Sequence, residues 1–158
     1  MSRVQLALNV SNIDEAVAFY SKLFKTEVNK RKPGYANFAI ADPPLKLVLI
    51  EGEAGGTLNH LGVEVETAAE VEAAEGRLST DGLATTGVSD TTCCYALKTE
   101  TWIADPDGAP WELYVKTGDA EQMANTVREA DGAQCCAPST TSEPVAIGAA
   151  PEAASGCC

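Results

Sequence analysis

Histidine and basic residues are scarce in this chain of 158 residues, which has one histidine, His60, and 11 Lys and Arg residues against 23 Asp and Glu. The formal net charge is therefore −12, and we expect no binding to nucleic acid, because that function needs a positively charged face. The basic run Lys30-Arg31-Lys32 fits a solvated strand end or turn, with a small anion pocket as the alternative.

Long apolar stretches are missing as well. Runs such as Leu47 to Ile50 are far too short to cross a bilayer, so we expect no membrane segment. The residues from Met1 to Val4 enter an alternating pattern at once, which does not fit a signal peptide. Together these features predict a cytoplasmic protein, in a compartment where thiols stay reduced.

The six cysteines occur only as adjacent pairs, Cys93-Cys94, Cys135-Cys136 and Cys157-Cys158. A disulfide framework would spread its cysteines, and zinc sites usually space them by about two to four residues. Adjacent thiols can bind one soft atom such as trivalent arsenic, cadmium or mercury. Burial as two small apolar side chains, or a strained vicinal disulfide, are the alternatives. Two further pairs in a segment with no core to fill favour a thiophilic-metal protein.

The chain repeats itself. Residues 5–23 (QLALNVSNIDEAVAFYSKL) align with residues 60–78 (HLGVEVETAAEVEAAEGRL), and each segment opens as an alternating strand. Each then enters a helix through a capping signature, Asn12 with Glu15 and Thr67 with Glu70. Ala41-Asp42-Pro43 and Ala104-Asp105-Pro106 precede matching final strands at a longer offset. The second copy therefore has extra residues, which predict a loop around Cys93 and Cys94.

We predict an α+β fold of two tandem β-α-β-β-β modules that form a concave mixed sheet with the helices on its outer face. Module one spans 1–56, with strands at 3–10, 27–30, 35–41 and 45–51 and a helix at 13–25. Module two spans 57–118, with strands at 58–66, 85–89, 94–104 (with a break allowed) and 110–116 and a helix at 68–81. Residues 119–158 lack aromatic residues, and we expect a flexible tail with at most a short helix near 119–130.

Three polar residues oppose the apolar faces of three strands. Val4, Leu6 and Leu8 share one face of the first strand, and Gln5 lies on the other. By the same alternation, His60 opposes Leu61, Val63 and Val65, and Glu112 opposes Trp111, Leu113 and Val115. We therefore expect Gln5, His60 and Glu112 on the concave face. One imidazole and two oxygen donors suit a divalent first-row metal, although a lone histidine is more often structural.

The repeat also predicts that one metal ligand is missing from module one. The mate of Glu112 in module one is Lys46, which does not coordinate metals in its usual cationic state. We therefore expect three protein ligands and open positions for water, oxygen or substrate. Tyr114 and Lys116 share the concave face with Glu112, and we interpret them as ordinary sheet lining.

The segments VQLALNV, KRKPGYANFAIADPPLKLVL, GGTLNHLGVEVE, TTCCYA and DPDGAPWELY resemble the organoarsenical carbon–arsenic lyases and the related cadmium-induced proteins. Both groups belong to the glyoxalase, bleomycin-resistance and extradiol-dioxygenase superfamily, whose fold is the vicinal oxygen chelate fold. The resemblance covers residues 1–118 nearly throughout, and NHLGVEVE followed by TTCC is its most specific part.

The resemblance implies an Fe(II)-dependent dioxygenase that uses dioxygen to cleave the carbon–arsenic bond of trivalent organoarsenicals, such as methylarsenite and reduced aromatic arsenicals, and releases arsenite. It implies Gln5, His60 and Glu112 as iron ligands and Cys93 with Cys94 as the arsenic-binding pair. No separate catalytic side chain is implied. Gln5 stands where many superfamily members have histidine, which weakens the nitrogen character of the site.

The main alternative is a protein that sequesters cadmium or arsenic through the same cysteines without catalysis. A glyoxalase-like isomerase is disfavoured by Lys46, and a thiol-transferase would not need Cys93-Cys94. Both halves of the proposed site lie in one chain, so a monomer or a homodimer would serve. The roles of Cys135, Cys136, Cys157 and Cys158, whether to scavenge arsenite, pass on substrate or neither, stay open at this point.

Overall fold

The structure is a computed structural model that describes residues 2–123. The predicted β-α-β-β-β order occurs twice. The first copy contains β1 (Arg3–Val10), α1 (Ile13–Phe24), β2 (Lys30–Lys32), β3 (Tyr35–Ile40) and β4 (Leu45–Glu51). The second contains β5 (Thr57–Glu64), α2 (Ala68–Thr80), β6 (Ser89–Cys93), β7 (Ala96–Ala104) and β8 (Pro110–Asp119). Neither helix in this part of the chain is both long and apolar enough to cross a membrane.

The helices begin where the capping signatures predict. The Asn12 side chain accepts hydrogen bonds from the backbone N–H groups of Asp14 and Glu15. Thr67 and Glu70 form a complete capping box, in which each side chain bonds the backbone of the other. These bonds satisfy N–H groups that have no partner within the helix and fix where each strand ends and the helix starts.

All eight strands of residues 2–123 form one mixed sheet in the order β2-β3-β4-β1-β5-β8-β7-β6. The two copies meet at the centre, where β1 pairs with β5 antiparallel, and each copy places its last strand parallel to its first. Helix α1 packs on the outer face over a core that includes Phe38, Leu47 and Leu49. The predicted α+β class and concave mixed sheet are confirmed.

Two edge strands lie later than predicted. Strand β2 occupies Lys30–Lys32 rather than 27–30, and β6 occupies Ser89–Cys93 rather than 85–89. Both strands are short and polar, so alternation gives little information about them, and their positions are set by tight turns to the next strand. Residues 96–104 form one continuous strand rather than a broken one.

The predicted loop around Cys93 and Cys94 is wrong. Cys93 pairs with Ala96, so only Cys94 and Tyr95 connect β6 to β7. The extra residues of the second copy instead lengthen β6 and β7 and the connection from α2 to β6.

The end of the second copy extends further than predicted, because β8 runs to Asp119. Residues 120–123 are not helical, and the rest of the helix expected near 119–130 lies outside the described residues. The predicted tail with Cys135, Cys136, Cys157 and Cys158 also lies outside them and stays a prediction.

Candidate metal and thiol site

Gln5, His60 and Glu112 lie together on the concave face, on the adjacent strands β1, β5 and β8. The Gln5 Nε2 atom is 2.9 Å from His60 Nε2 and 3.0 Å from Glu112 Oε2. His60 Nε2 and Glu112 Oε2 are 3.5 Å apart. Each residue is at most 2% exposed, so three potential donors from both modules converge in a place shielded from water.

The hydrogen bonds of His60 fit a metal-binding imidazole. Its Nδ1 lies 2.7 Å from Asn59 Oδ1, which can only accept, so Nδ1 carries the proton in this arrangement. The Nε2 lone pair is then directed at Gln5. Asn59 in turn donates to Asn9 Oδ1 over 2.8 Å, which holds the amide in place. A partner on the second ring nitrogen is the usual way in which proteins orient a histidine ligand.

The Gln5 amide group lies where a cation would be held. Its NH₂ group donates to both His60 and Glu112, and its Oε1 accepts from the Tyr114 hydroxyl over 2.5 Å. Rotating the amide by half a turn would direct Oε1 at the same point and give Nε2 to Tyr114 as a donor. An imidazole nitrogen, a carboxylate and an amide oxygen would then face one centre, so these residues fit a divalent metal.

Within residues 2–123, no group of three or more His, Cys, Asp and Glu side chains is placed to hold a metal ion. The candidate set therefore depends on the amide oxygen of Gln5 as its third protein donor.

Lys46 lies where the repeat predicts a missing carboxylate, and it is buried. Its ammonium donates to Glu64 over 3.1 Å and to the Tyr114 hydroxyl over 2.8 Å. Burial lowers the pKa of Lys46, against the opposing effect of Glu64. Tyr114 thus links Lys46 to Gln5, and the expectation that it is ordinary lining is too simple, since its hydroxyl touches a candidate ligand.

Sequence reasoning missed Lys98, Glu100 and Trp102, which lie on β7 and face the same side as Glu112. Lys98 is 4% exposed, and its ammonium donates to Glu112 Oε1 over 2.5 Å. Trp102 packs edge-on against His60 with ring centroids 5.3 Å apart, and its indole N–H donates to Glu100. The alternation in the segment LKTETW predicts that these three side chains share one face of a strand. It does not predict whether that face is buried.

The carboxylates of this cluster have opposite ionisation. Burial alone would raise the pKa of Glu112, but the Lys98 ammonium and His60 hold it well below its usual range. Burial would likewise discharge Lys98, but Glu112 raises its pKa above the usual range. Burial and the neighbouring Glu112 raise the pKa of Glu100 to about 8, so Glu100 is mostly protonated at neutral pH. Of these two carboxylates, Glu112 is therefore the ionised one, and it is paired with the buried Lys98.

Cys93 and Cys94 lie on the same concave face, in a buried cluster that includes Tyr35, Val48 and Ala7. Adjacent residues of a strand normally point to opposite faces. Here Cys94 and Tyr95 have φ values of 54° and 59°, a left-handed turn that costs roughly 1–2 kcal/mol per residue without glycine. The turn brings the two sulfur atoms to 3.2 Å, too far for a disulfide bond of about 2.05 Å.

A cavity of about 120 Å³ connects the potential metal ligands to the cysteine pair. Cys94, Gln5 and His60 all line it. The hydrogen bond with Cys93, together with burial, raises the pKa of Cys94 well above the usual value for a thiol. Cys94 is therefore a neutral thiol at neutral pH, and a molecule that binds both sulfur atoms would also face Gln5 and His60.

The absence of a side chain at Gly62 leaves room for the Gln5 side chain. A Cβ atom there would lie 3.0 Å from the Glu112 carbonyl oxygen and 3.4 Å from both Gln5 Cβ and Gln5 Nε2. We expect Gly62→Ala to displace the amide, to weaken Fe(II) affinity at least about tenfold and to cost about 1–3 kcal/mol of unfolding free energy. Anaerobic calorimetry and urea unfolding measure the two effects.

Gly76→Ala is the matched control for this substitution, because a Cβ atom on Gly76 meets nothing within 4 Å. Gly76 lies inside α2, so alanine there should stabilise the fold by about 0.5–1 kcal/mol and leave metal affinity unchanged. Unchanged Fe(II) affinity in Gly62→Ala would contradict the role given to the Gln5 amide.

Comparison with known proteins gives a consistent result. Residues 3–113 match the Glyoxalase/Bleomycin resistance protein/Dioxygenase superfamily. A trivalent organoarsenical cleaving enzyme from Thermomonospora curvata is 55% identical over 140 residues, which are 87% of this chain and 90% of that protein. The cadmium-induced protein CadI of Mycobacterium tuberculosis is 51% identical over 142 residues, which are 86% of this chain and 93% of that protein.

Solved structures share the fold at much lower identity. An extradiol ring-cleaving dioxygenase from B. fuscum aligns with a TM-score of 0.55 and 20% identity, over 75% of this chain and 34% of that one.

Proposed function

We propose that this chain, which belongs to the Glyoxalase/Bleomycin resistance protein/Dioxygenase superfamily, cleaves the carbon–arsenic bond of trivalent organoarsenicals and releases arsenite. The observation that carries the proposal is the pair of thiols, 3.2 Å apart, in the cavity lined by Gln5 and His60. The similarity to a protein named as a trivalent organoarsenical cleaving enzyme supports it.

Substrate binding needs no ionised cysteine in advance. A trivalent organoarsenical with two hydroxyl groups on arsenic can condense with the Cys93 and Cys94 thiols. Two sulfur–arsenic bonds then form, and each thiol proton leaves with a hydroxyl group as water. This suits Cys94, whose thiol form is favoured by the hydrogen bond with Cys93 and by burial. Sulfur is the ligand that a soft trivalent centre prefers.

The remaining substituent on arsenic is the organic group, which would extend into the cavity toward Gln5 and His60. We propose Gln5, His60 and Glu112 as ligands of Fe(II), which when bound would supply the oxidative chemistry with dioxygen. Holding arsenic at one end of the cavity turns the encounter of its carbon with this centre into a near-unimolecular step. Tyr35 and Val48 line the cavity and belong to the same buried cluster as the two cysteines, so they would limit water around bound arsenic.

Neighbouring residues support each of the proposed ligands. Asn59 orients the imidazole of His60. Tyr114 contacts the Gln5 amide, and its hydroxyl would accept from Nε2 once the amide has rotated to direct Oε1 at the metal. Lys98 keeps Glu112 ionised. All these residues belong to one chain, so a monomer would contain a complete site, and a homodimer would contain two. Because the reaction uses thiols, we propose a cytoplasmic location, where thiols stay reduced.

The test is arsenite release from methylarsenite by the full-length protein with Fe(II), in air and without oxygen, followed by chromatography with arsenic detection. We expect release only when both Fe(II) and oxygen are present, and its loss on iron chelation. Equal turnover without oxygen would rule out the dioxygenase chemistry.

The second candidate function is sequestration of cadmium or arsenic without catalysis, which the similarity to the cadmium-induced protein favours. In that case the protein would bind cadmium or methylarsenite tightly through Cys93 and Cys94 but release no arsenite with Fe(II) in air. Titration with cadmium beside the turnover assay separates the two functions.

A further inference from the structure

Tyr35 places a buried hydroxyl group beside the cavity that Cys94 lines, and the proposed reaction so far uses only its ring. The residue is 3% exposed and belongs to the buried cluster that contains Cys93 and Cys94. Tyr35 and Asn37 both line the cavity. Because the Asn37 side chain contacts the Tyr35 hydroxyl, the hydroxyl end of the ring lies beside the cavity as well.

The hydrogen bonds of this hydroxyl run in one direction. Asn29 Nδ2 donates to Asn37 Oδ1 over 2.9 Å, so the NH₂ group of Asn37 faces Tyr35. Asn37 Nδ2 then donates to the Tyr35 oxygen over 2.8 Å. In this arrangement the hydroxyl accepts a hydrogen bond, and within residues 2–123 no acceptor takes its hydrogen. A buried O–H group without an acceptor costs free energy, so an oxygen atom of a ligand in the cavity would be a favourable partner.

Burial also keeps the hydroxyl protonated. It raises the pKa of Tyr35 above its usual range, against the opposing effect of the Asn37 hydrogen bond. Negative charge on Cys94 or Cys93 would raise this pKa further, because both cysteines lie near Tyr35. The hydroxyl is therefore a hydrogen-bond donor at neutral pH, and it would remain one while the cysteines react.

Arsenic binding brings oxygen atoms to this place. A trivalent organoarsenical reaches the thiols with hydroxyl groups on arsenic. Each condensation breaks one S–H bond and one As–O bond, forms one S–As bond and releases one water, with no change in oxidation state. The departing oxygen gains negative charge until the thiol proton reaches it. A fixed hydrogen-bond donor beside that oxygen lowers the barrier to its departure.

We propose that Tyr35 is a catalytic residue for the capture of arsenic, because its hydroxyl donates a hydrogen bond to the departing oxygen while Cys93 and Cys94 bind arsenic. Asn37 and Asn29 are positioning residues, since they act only through the Tyr35 oxygen. This inference rests on the part of the proposed function that places arsenic on the two thiols. It does not involve the proposed metal ligands.

The test follows the rate at which the thiols bind methylarsenite without Fe(II) or oxygen, from the ultraviolet absorbance of the sulfur–arsenic bonds in a stopped-flow instrument. The parent protein is the full-length chain in which serine replaces the other four cysteines, so that the signal comes from Cys93 and Cys94. Tyr35→Phe removes the hydroxyl and keeps the ring that contacts Tyr95. We expect it to slow methylarsenite capture by about 100-fold, as for the loss of one donor to a developing negative charge.

Cadmium is the discriminating probe. It reaches the same thiols as a hydrated ion and loses neutral water, so no departing oxygen needs a donor, and its rate of binding should be the same in Tyr35→Phe as in the parent protein. Asn37→Leu keeps the Tyr35 hydroxyl without its donor and should slow methylarsenite capture by less than Tyr35→Phe. Tyr20→Phe is the matched control, because it removes a hydroxyl from α1, on the outer face of the sheet, and should change neither rate.

The outcomes separate this inference from the proposed function. Equal rates of methylarsenite capture in Tyr35→Phe and the parent protein would overturn the inference. Equal slowing with methylarsenite and with cadmium would also overturn it, because Tyr35 would then act through the shape of the thiol turn. The turnover assay with Fe(II) in air decides the proposed function separately. Absence of arsenite release there would overturn carbon–arsenic cleavage, and a selective loss of methylarsenite capture would still support Tyr35.

Discussion

Replacing either Cys93 or Cys94 by serine is expected to reduce arsenite release from methylarsenite at least about 100-fold, because a hydroxyl does not replace a thiolate on a soft centre. Metal content should not change, since neither cysteine is among the proposed ligands Gln5, His60 and Glu112. Serine keeps the shape of the side chain, so the fold should persist. The measurements are arsenite release in air with Fe(II) and iron content of the purified variants.

The tail supplies a matched control for these substitutions. Cys135→Ser combined with Cys136→Ser removes an adjacent pair that lies outside the described residues, and we expect a much smaller effect on turnover. Full activity in Cys93→Ser or Cys94→Ser would eliminate the pair as the substrate anchor. Loss of iron from either variant would instead show that the thiols take part in the metal site.

His60→Ala is expected to abolish Fe(II) binding, because it removes the only imidazole of the chain. Asn59→Ala provides a graded comparison, since it removes only the acceptor at Nδ1 and should weaken Fe(II) affinity by about 10- to 100-fold. Anaerobic calorimetry with Fe(II) measures both, and circular dichroism checks that the loss of the contact with Trp102 leaves the fold intact.

Retention of one Fe(II) per chain in His60→Ala would refute the proposed ligand set. Equal losses in His60→Ala and Asn59→Ala would show that Asn59 does more than orient the ring, and the hydrogen-bond chain to Asn9 would then need its own variants.

Local sequence patterns predict much of this fold. Capping residues fix the starts of both helices, and strict alternation fixes the face on which Gln5, His60 and Glu112 lie. The repeat adds the relation between distant strands, because equivalent residues must approach across the seam of β1 and β5. The convergence of these side chains could therefore be expected before any coordinates.

The remainder depends on information that no local pattern contains. The left-handed turn at Cys94 and Tyr95 has neither glycine nor asparagine to mark it, so the segment suggested a loop. In β7, charged residues alternate with uncharged ones, and Lys98 and Glu100 could equally have faced solvent. Their burial is decided by pairing with β8, which places Lys98 within 2.5 Å of Glu112.

The pairing of β1 with β5 couples the docking of the two modules to the binding of the metal. Gln5 comes from one module, and His60 and Glu112 come from the other, so the proposed donors converge only while the modules are docked. A ligand that binds only the docked form at 100 times its Kd stabilises that form by about 2.7 kcal/mol. The cell's iron supply would then act on the lifetime of the protein as well as on its turnover, because chains made during iron starvation would open more often and be degraded sooner.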